Sequence, residues 1–173
     1  VAALSLACAE PTKAPAPTAA EQGCTGAGHT TPELPDGHVA LRTPTGRCGI
    51  AQTWRTMTDT ARPEPHPDHL DDDRRLSVRI WYPTQETSGG DAAPYMPAEE
   101  AIAYAEPFGR SVGWEAAVHT HSREGGAALG PDLPVVLFSH GLGNLRSAFQ
   151  SHIEQLVSRG YVVVAIAHSY DTP

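Results

Sequence analysis

The stretch Pro134-Val135-Val136-Leu137-Phe138-Ser139-His140-Gly141-Leu142-Gly143-Asn144 decides the fold. Its opening residues form a short continuous apolar run, the pattern of a strand covered on both faces in a parallel sheet. From Asn144 to Arg159, Leu145, Phe149, Ile153, Leu156 and Val157 recur at helical spacing. Ser147 and Gln150 have the spacing of a capping box, and Gly160 stands where a helix ends. Tyr161 to Ala167 is a second apolar run, read as a second fully buried strand. Strand, helix and strand in this order predict a right-handed βαβ unit of a parallel sheet, and so an α/β protein.

The turn between the first strand and its helix carries the chemistry. Gly141 and Gly143 permit a tight turn at the C-terminal end of a parallel strand, where open α/β sheets hold their ligands. Backbone N–H groups aimed at such a ligand suit ester cleavage, which builds negative charge on the carbonyl oxygen. Each preorganised donor there lowers the barrier by about 2.7–4 kcal/mol. In α/β-hydrolases one donor comes from this loop and the other from the residue after the nucleophile. The N–H of Leu142 is the candidate donor, with His140, Gly141 and Gly143 shaping the turn. An ordinary strand-to-helix turn around a buried histidine is the plainer alternative.

Upstream, Val39 to Thr58 suggests an extended hairpin with Thr45-Gly46 in its turn, followed by a Pro/His/Asp-rich loop from Arg62 to Asp73. Leu76, Val78, Ile80 and Tyr82 alternate with Ser77, Arg79 and Trp81 and stop at Pro83, which predicts a half-buried strand. Gly89-Gly90 marks a loop. Pro97 with Glu99 and Glu100 opens a short helix that ends near Pro107. The expected architecture is the N-terminal part of an α/β-hydrolase fold, with antiparallel strands leading into the parallel βαβ unit. A parallel sheet with two central strands reads as unfinished, a domain cut before its nucleophile elbow.

The chain has 173 residues, 40% of them hydrophobic, and a net charge of −8 with Lys13 as its one lysine. That balance argues against nucleic acid or an anionic membrane surface as electrostatic partners. No run of about 20 apolar residues could span a bilayer as a helix. Val1-Ala2-Ala3-Leu4-Ser5-Leu6-Ala7-Cys8 resembles the tail of a secretory signal, and Cys8 after Leu-Ala resembles a lipoprotein box, although Ser5 stands where such boxes carry Leu. Residues 1–35 therefore read as a signal or lipoprotein remnant and a Pro/Ala-rich tether, and 36–173 as the hydrolase domain. The protein is expected outside the cytoplasm, extracellular or held to the envelope through a lipidated Cys8. In that setting Cys24 and Cys48 are expected to form a disulfide, with two unpaired thiols as the alternative.

Other motifs compete. Gly109-Arg110-Ser111-Val112-Gly113 fits G-x-S-x-G, but a nucleophile elbow needs a strand before it and a helix after it. Ser139 has that context, but Leu137 stands where the elbow glycine belongs. His119, His121, His66 and His69 could be metal ligands, and read more simply as scattered surface histidines in an acidic, loop-rich region. His168 ends the second strand near the ligand face, and Asp171 reads as a loop cap. Trp54, Trp81 and Trp114 read as packing residues.

Phe138-Ser139-His140-Gly141-Leu142-Gly143 followed by a helix and Gly160-Tyr161-Val162-Val163 resembles the plasma-type platelet-activating-factor acetylhydrolases and their bacterial relatives. Arg79-Ile80-Trp81-Tyr82-Pro83, Asp59-Thr60-Ala61-Arg62-Pro63 and Tyr95-Met96-Pro97 resemble further segments of that family, so the likeness covers about residues 40–173. The resemblance implies a lipase-like serine hydrolase without metal or cofactor. Its substrates would be short or oxidised acyl chains on phospholipids, or other small esters, cut through an acyl-enzyme. It implies that Leu142 supplies the backbone oxyanion donor and that the triad Ser, Asp and His lie beyond residue 173. A secreted polyester or triacylglycerol hydrolase of the same fold, and a non-catalytic envelope lipoprotein, are the rival readings.

Overall fold

The computed structural model describes residues 23–66, 68, 71–86, 92–105 and 107–168. The leader reading of Val1–Cys8, the lipidation candidate Cys8, His69, the Gly89-Gly90 loop and Asp171 lie outside those residues.

Strand β2 (Gly49–Pro63) and strand β3 (Asp73–Thr84) form a long antiparallel hairpin around the expected Pro/His/Asp-rich loop. Strand β6 (Val135–Ser139), helix α2 (Gln150–Val157) and strand β7 (Val162–Ala167) form the βαβ unit, with β6 and β7 parallel. Strand β7 also pairs antiparallel with β3, and β5 (Ser122–Glu124) adds to β2. Among the described residues the sheet order is β5-β2-β3-β7-β6. Helix α1 (Ala98–Ala105) follows Pro97 as expected. Antiparallel strands thus lead into a parallel unit, the α/β arrangement that the sequence predicts.

Register decides which side chains share a face. Gln52 lies opposite Trp81 and Trp54 opposite Arg79, while Trp81 lies opposite Val163 and Arg79 opposite Ala165. Val136 and Phe138 continue the same row across β6. Helix α2 packs on this face, where Ile50, Trp81, Ile153, Val157, Val163 and Ala165 form the core, with Phe149 against Phe138. Area removed from water at such a cluster is worth about 25 cal/mol per Å². Gly160, with φ 93°, ends the helix, and its N–H donates to the Val157 carbonyl.

Several expectations are corrected. The Leu76–Tyr82 strand is not half-buried with its polar parity outward. Arg79 and Trp81, on that parity, are fully buried beneath α2. The charge is tolerated because Arg79 donates to the carbonyls of Pro94 and Tyr95 at 2.7 and 2.8 Å, and to Gln52 and Gln150, and stacks 4.4 Å over Trp54. Burial, with repulsion from Arg146, lowers its pKa to about 9, which leaves it charged at neutral pH. Conversely, β6 is not covered on both faces, and β7 is not fully buried either, since only Val163 and Ala165 are buried there. Val135 and Leu137 are 60% and 74% exposed, because α2 covers only the Val136 and Phe138 side.

The 39–58 hairpin does not form. A Cβ on Gly46 would lie 2.0 Å from the Ser158 carbonyl oxygen, and the Cys48 N–H donates to that oxygen at 3.0 Å. Docked against the end of α2, this segment cannot fold back on β2. Strand β1 (Val39–Ala40) instead pairs in parallel with β4 (Val118–His119). The Ser147–Gln150 capping box is also absent. A 3-10 turn, Arg146–Phe149, precedes α2, and Gln150 is drawn into the buried polar cluster, where it donates to Glu154 at 2.9 Å. Leu156, placed on the apolar helix face by spacing, is exposed.

Cys24 and Cys48 are joined in a disulfide with Cα atoms 5.0 Å apart. Residues 23–35, expected as part of a tether, lie along the body. Gln85 donates to the Gly23 carbonyl at 2.8 Å, and His29 is 2.8 Å from the Cys48 carbonyl.

Candidate active site

The turn His140–Asn144 follows β6 at its C-terminal end, beside β7. The Asn144 N–H donates to the Gly141 carbonyl at 3.1 Å, and Gly143 has φ 70°. A positive φ at the third residue alone is the signature of a type II turn, and only glycine adopts it without strain. Leu142 therefore occupies the second turn position, with its side chain 86% exposed. Among the described residues, none takes a hydrogen bond from the Leu142 N–H.

Both flanks of the turn are anchored. Upstream, Ser139 Oγ and His168 Nε2 share a hydrogen bond of 2.7 Å, tying the ends of β6 and β7 together. The buried His140 ring meets the His168 ring edge-on, with centroids 4.9 Å apart, and its Nδ1 lies 3.1 Å from the Gly141 carbonyl. Downstream, the fully buried Arg146 pairs with Glu100 of α1 and donates to the Ser77 carbonyl of β3 at 3.1 Å. Burial lowers the Arg146 pKa, and Glu100 opposes that shift. Arg79, Arg146 and their polar partners were missed by sequence reasoning. The signal was an arginine inside an apolar strand and another inside the helix-entry turn.

The rival motifs have different surroundings. Ser111 sits in a turn, where its carbonyl accepts from the Trp114 N–H at 3.1 Å, and the element before it is helix α1 rather than a strand. Ser139 is still within the β6 ladder, opposite Ile166, one residue short of the turn. His119 and His121 have ring centroids 5.9 Å apart, and His121 lies 3.0 Å from the Leu41 carbonyl and 6.0 Å from the His29 ring. Among the described residues no group of three side chains could hold a metal ion. Desolvation lowers the pKa of His29 and His119, and raises that of the buried Glu154, which accepts from the His121 N–H. Trp81 is core, Trp54 stacks between Arg79 and Arg146, and Trp114 packs on Tyr95.

The model of the family described as platelet-activating factor acetylhydrolase, isoform II, matches residues 68–172, more than half of the chain. The chain belongs to this family. Among solved structures it is similar to a ferulic acid esterase from Streptomyces cinnamoneus, with a TM-score of 0.65 and 30% identity over 78% of this chain. The match covers 37% of that esterase, so this chain spans well under half of its length. No curated protein matches. Within the platelet-activating factor acetylhydrolase family, the β6–α2–β7 unit and the turn at its mouth fall inside the matched residues. The fold is that of an α/β-hydrolase, represented here by part of its sheet.

Proposed function

We propose that this chain carries the oxyanion loop of a serine ester hydrolase that cleaves small esters through an acyl-enzyme. The observation that carries the reading is the N–H of Leu142, which donates to none of the described residues and stands at the second position of a type II turn beyond a parallel strand. A donor fixed in that way needs no reorganisation when charge appears on the substrate oxygen. The family match and the likeness to an esterase support hydrolysis of an ester bond. The nucleophile, acid and base of this reading lie beyond residue 173, as the family resemblance implies. Short acyl esters of phospholipids and esters of small aromatic acids are the substrate classes suggested by the two names.

A second reading rests on the Ser139–His168 hydrogen bond, which has nucleophile–base geometry at 2.7 Å. Against it, Ser139 is held in the strand ladder rather than on an elbow. We assign the pair to clamping the turn. We further propose export, with attachment through Cys8. The Cys24–Cys48 disulfide supports that placement, because such bonds persist in oxidising compartments.

The test uses protein expressed from the complete reading frame. It should hydrolyse 4-nitrophenyl acetate and be labelled covalently by a fluorophosphonate on a serine outside residues 1–173. No hydrolysis and no labelling would leave a hydrolase frame without hydrolase chemistry.

A further inference from the structure

A cavity of about 170 Å³ has Leu145, the residue that follows the candidate oxyanion turn, in its wall. One wall is Leu145 and Ala148, from the segment that leads out of that turn. The rest is largely aromatic. Tyr104 and Phe108 stack with centroids 5.4 Å apart, and Tyr95 meets Trp114 edge-on at 5.8 Å. The guanidinium of Arg110 lies 5.7 Å from the Trp114 ring and also lines the opening.

We infer that this cavity receives the acyl part of the ester, and that the acyl group it fits best ends in a single aromatic ring. The inference rests on the esterase reading; it chooses between the two substrate classes named there and gives the acyl group a place in the fold. Three observations carry it. The first is reach. Leu145 is three residues beyond Leu142, so at most about 11 Å of chain separates the oxyanion donor from the cavity wall. An arylalkenoyl or arylalkanoyl group bound through its carbonyl oxygen bridges that distance.

The second is volume. A cavity of about 150 Å³ holds a benzene ring, whereas sites for larger ligands run from about 300 Å³ upward. This one accommodates a ring and crowds a long alkyl chain. The third is the lining. Two aromatic pairs offer faces and edges to an incoming ring, in the offset and edge-on geometries that rings prefer. Arg110 adds a cation that can meet an oxygen substituent on that ring.

The buried Arg79 gives the cavity its rigidity. Its bonds to the carbonyls of Pro94 and Tyr95 fix the Tyr95-Met96-Pro97 segment, whose Tyr95 and Met96 form part of the wall. That segment is one of the motifs shared with the family, and the wall gives it a role.

The experiment measures kcat/KM of the complete enzyme for methyl cinnamate, methyl butyrate and methyl decanoate, which share one leaving group. Wild type should prefer the cinnamate to the decanoate by about tenfold or more. Ala148→Phe fills the cavity and should lower the cinnamate-to-butyrate ratio by about tenfold, and Phe108→Ala opens it and should raise decanoate relative to cinnamate by a similar factor. Two variants guard against a folding failure in either. If the enzyme hydrolyses these esters but both ratios stay within about twofold of wild type, the cavity is not the acyl site. If wild type hydrolyses none of them and no fluorophosphonate labels it, the esterase reading itself fails, and this inference with it.

Discussion

The loop His140–Asn144 and the loop Gly109–Gly113 look alike in the sequence. Each holds two glycines, each has a serine in it or beside it, and in each the glycine that needs a left-handed backbone has open space around it. Gly143 has φ 70°, and Gly109 and Gly113 have φ 60° and 84°. They differ in what they follow. The first leaves a parallel strand, and anchors on both sides hold it: Ser139–His168 upstream and Arg146–Glu100 downstream. The second leaves a helix and enters a short 3-10 turn, with both ends on the surface. A backbone N–H is useful to a reaction only when the fold fixes its direction and a strand end brings it to the ligand. The G-x-S-x-G spelling supplies neither.

Leu142→Pro should have the largest effect. Proline is favoured at the second position of a type II turn, so the turn survives while the N–H is lost, and kcat should fall by about 10²–10³-fold. An unchanged thermal melt with that loss would isolate the donor. A kcat within a few-fold of wild type would remove Leu142 from the mechanism.

Ser139→Ala comes next. If Ser139 clamps the turn to His168, kcat should fall by no more than about tenfold, the scale of one lost hydrogen bond. A fall to background would make Ser139 the nucleophile and invert the comparison.

Gly143→Ala and Gly113→Ala form a matched pair. Each forces an alanine into a left-handed backbone without a clash, costing roughly 1–2 kcal/mol of stability by chemical denaturation. Only the Gly143 variant should also lose kcat. Equal losses of activity would mean that the two loops are equally catalytic. Ser111→Ala should do least, with hydrolysis within about twofold of wild type, as for a surface serine away from the chemistry.

Much of the fold was legible because it is locally encoded. The β6–α2–β7 unit follows from two apolar runs around an amphipathic segment, and the turn from glycines at 141 and 143. Strand β3 and helix α1 were legible for the same reason, since period and helix-start chemistry reside in neighbouring residues. These signals also set where the candidate oxyanion donor falls.

Tertiary structure decided what depends on residues far apart in the chain. Gly46 fails to turn a hairpin because it packs on Ser158, a partner 112 residues away. Arg79 is buried because carbonyls from Pro94 and Tyr95, and the ring of Trp54, replace the water it would otherwise hold. The exposed Val135 and Leu137 were unreadable for a similar reason, since an apolar run states what can be covered and not which layer covers it. The sequence by itself determined that a strand ends in a glycine turn with Leu142 at its crest. Only the packing of β6 against β7, of Arg146 against α1, and of four aromatic rings beside Leu145 decided that this turn is rigid and has a pocket next to it. A period or a glycine acts within one turn of chain, whereas a clamp or a pocket exists only once distant segments meet.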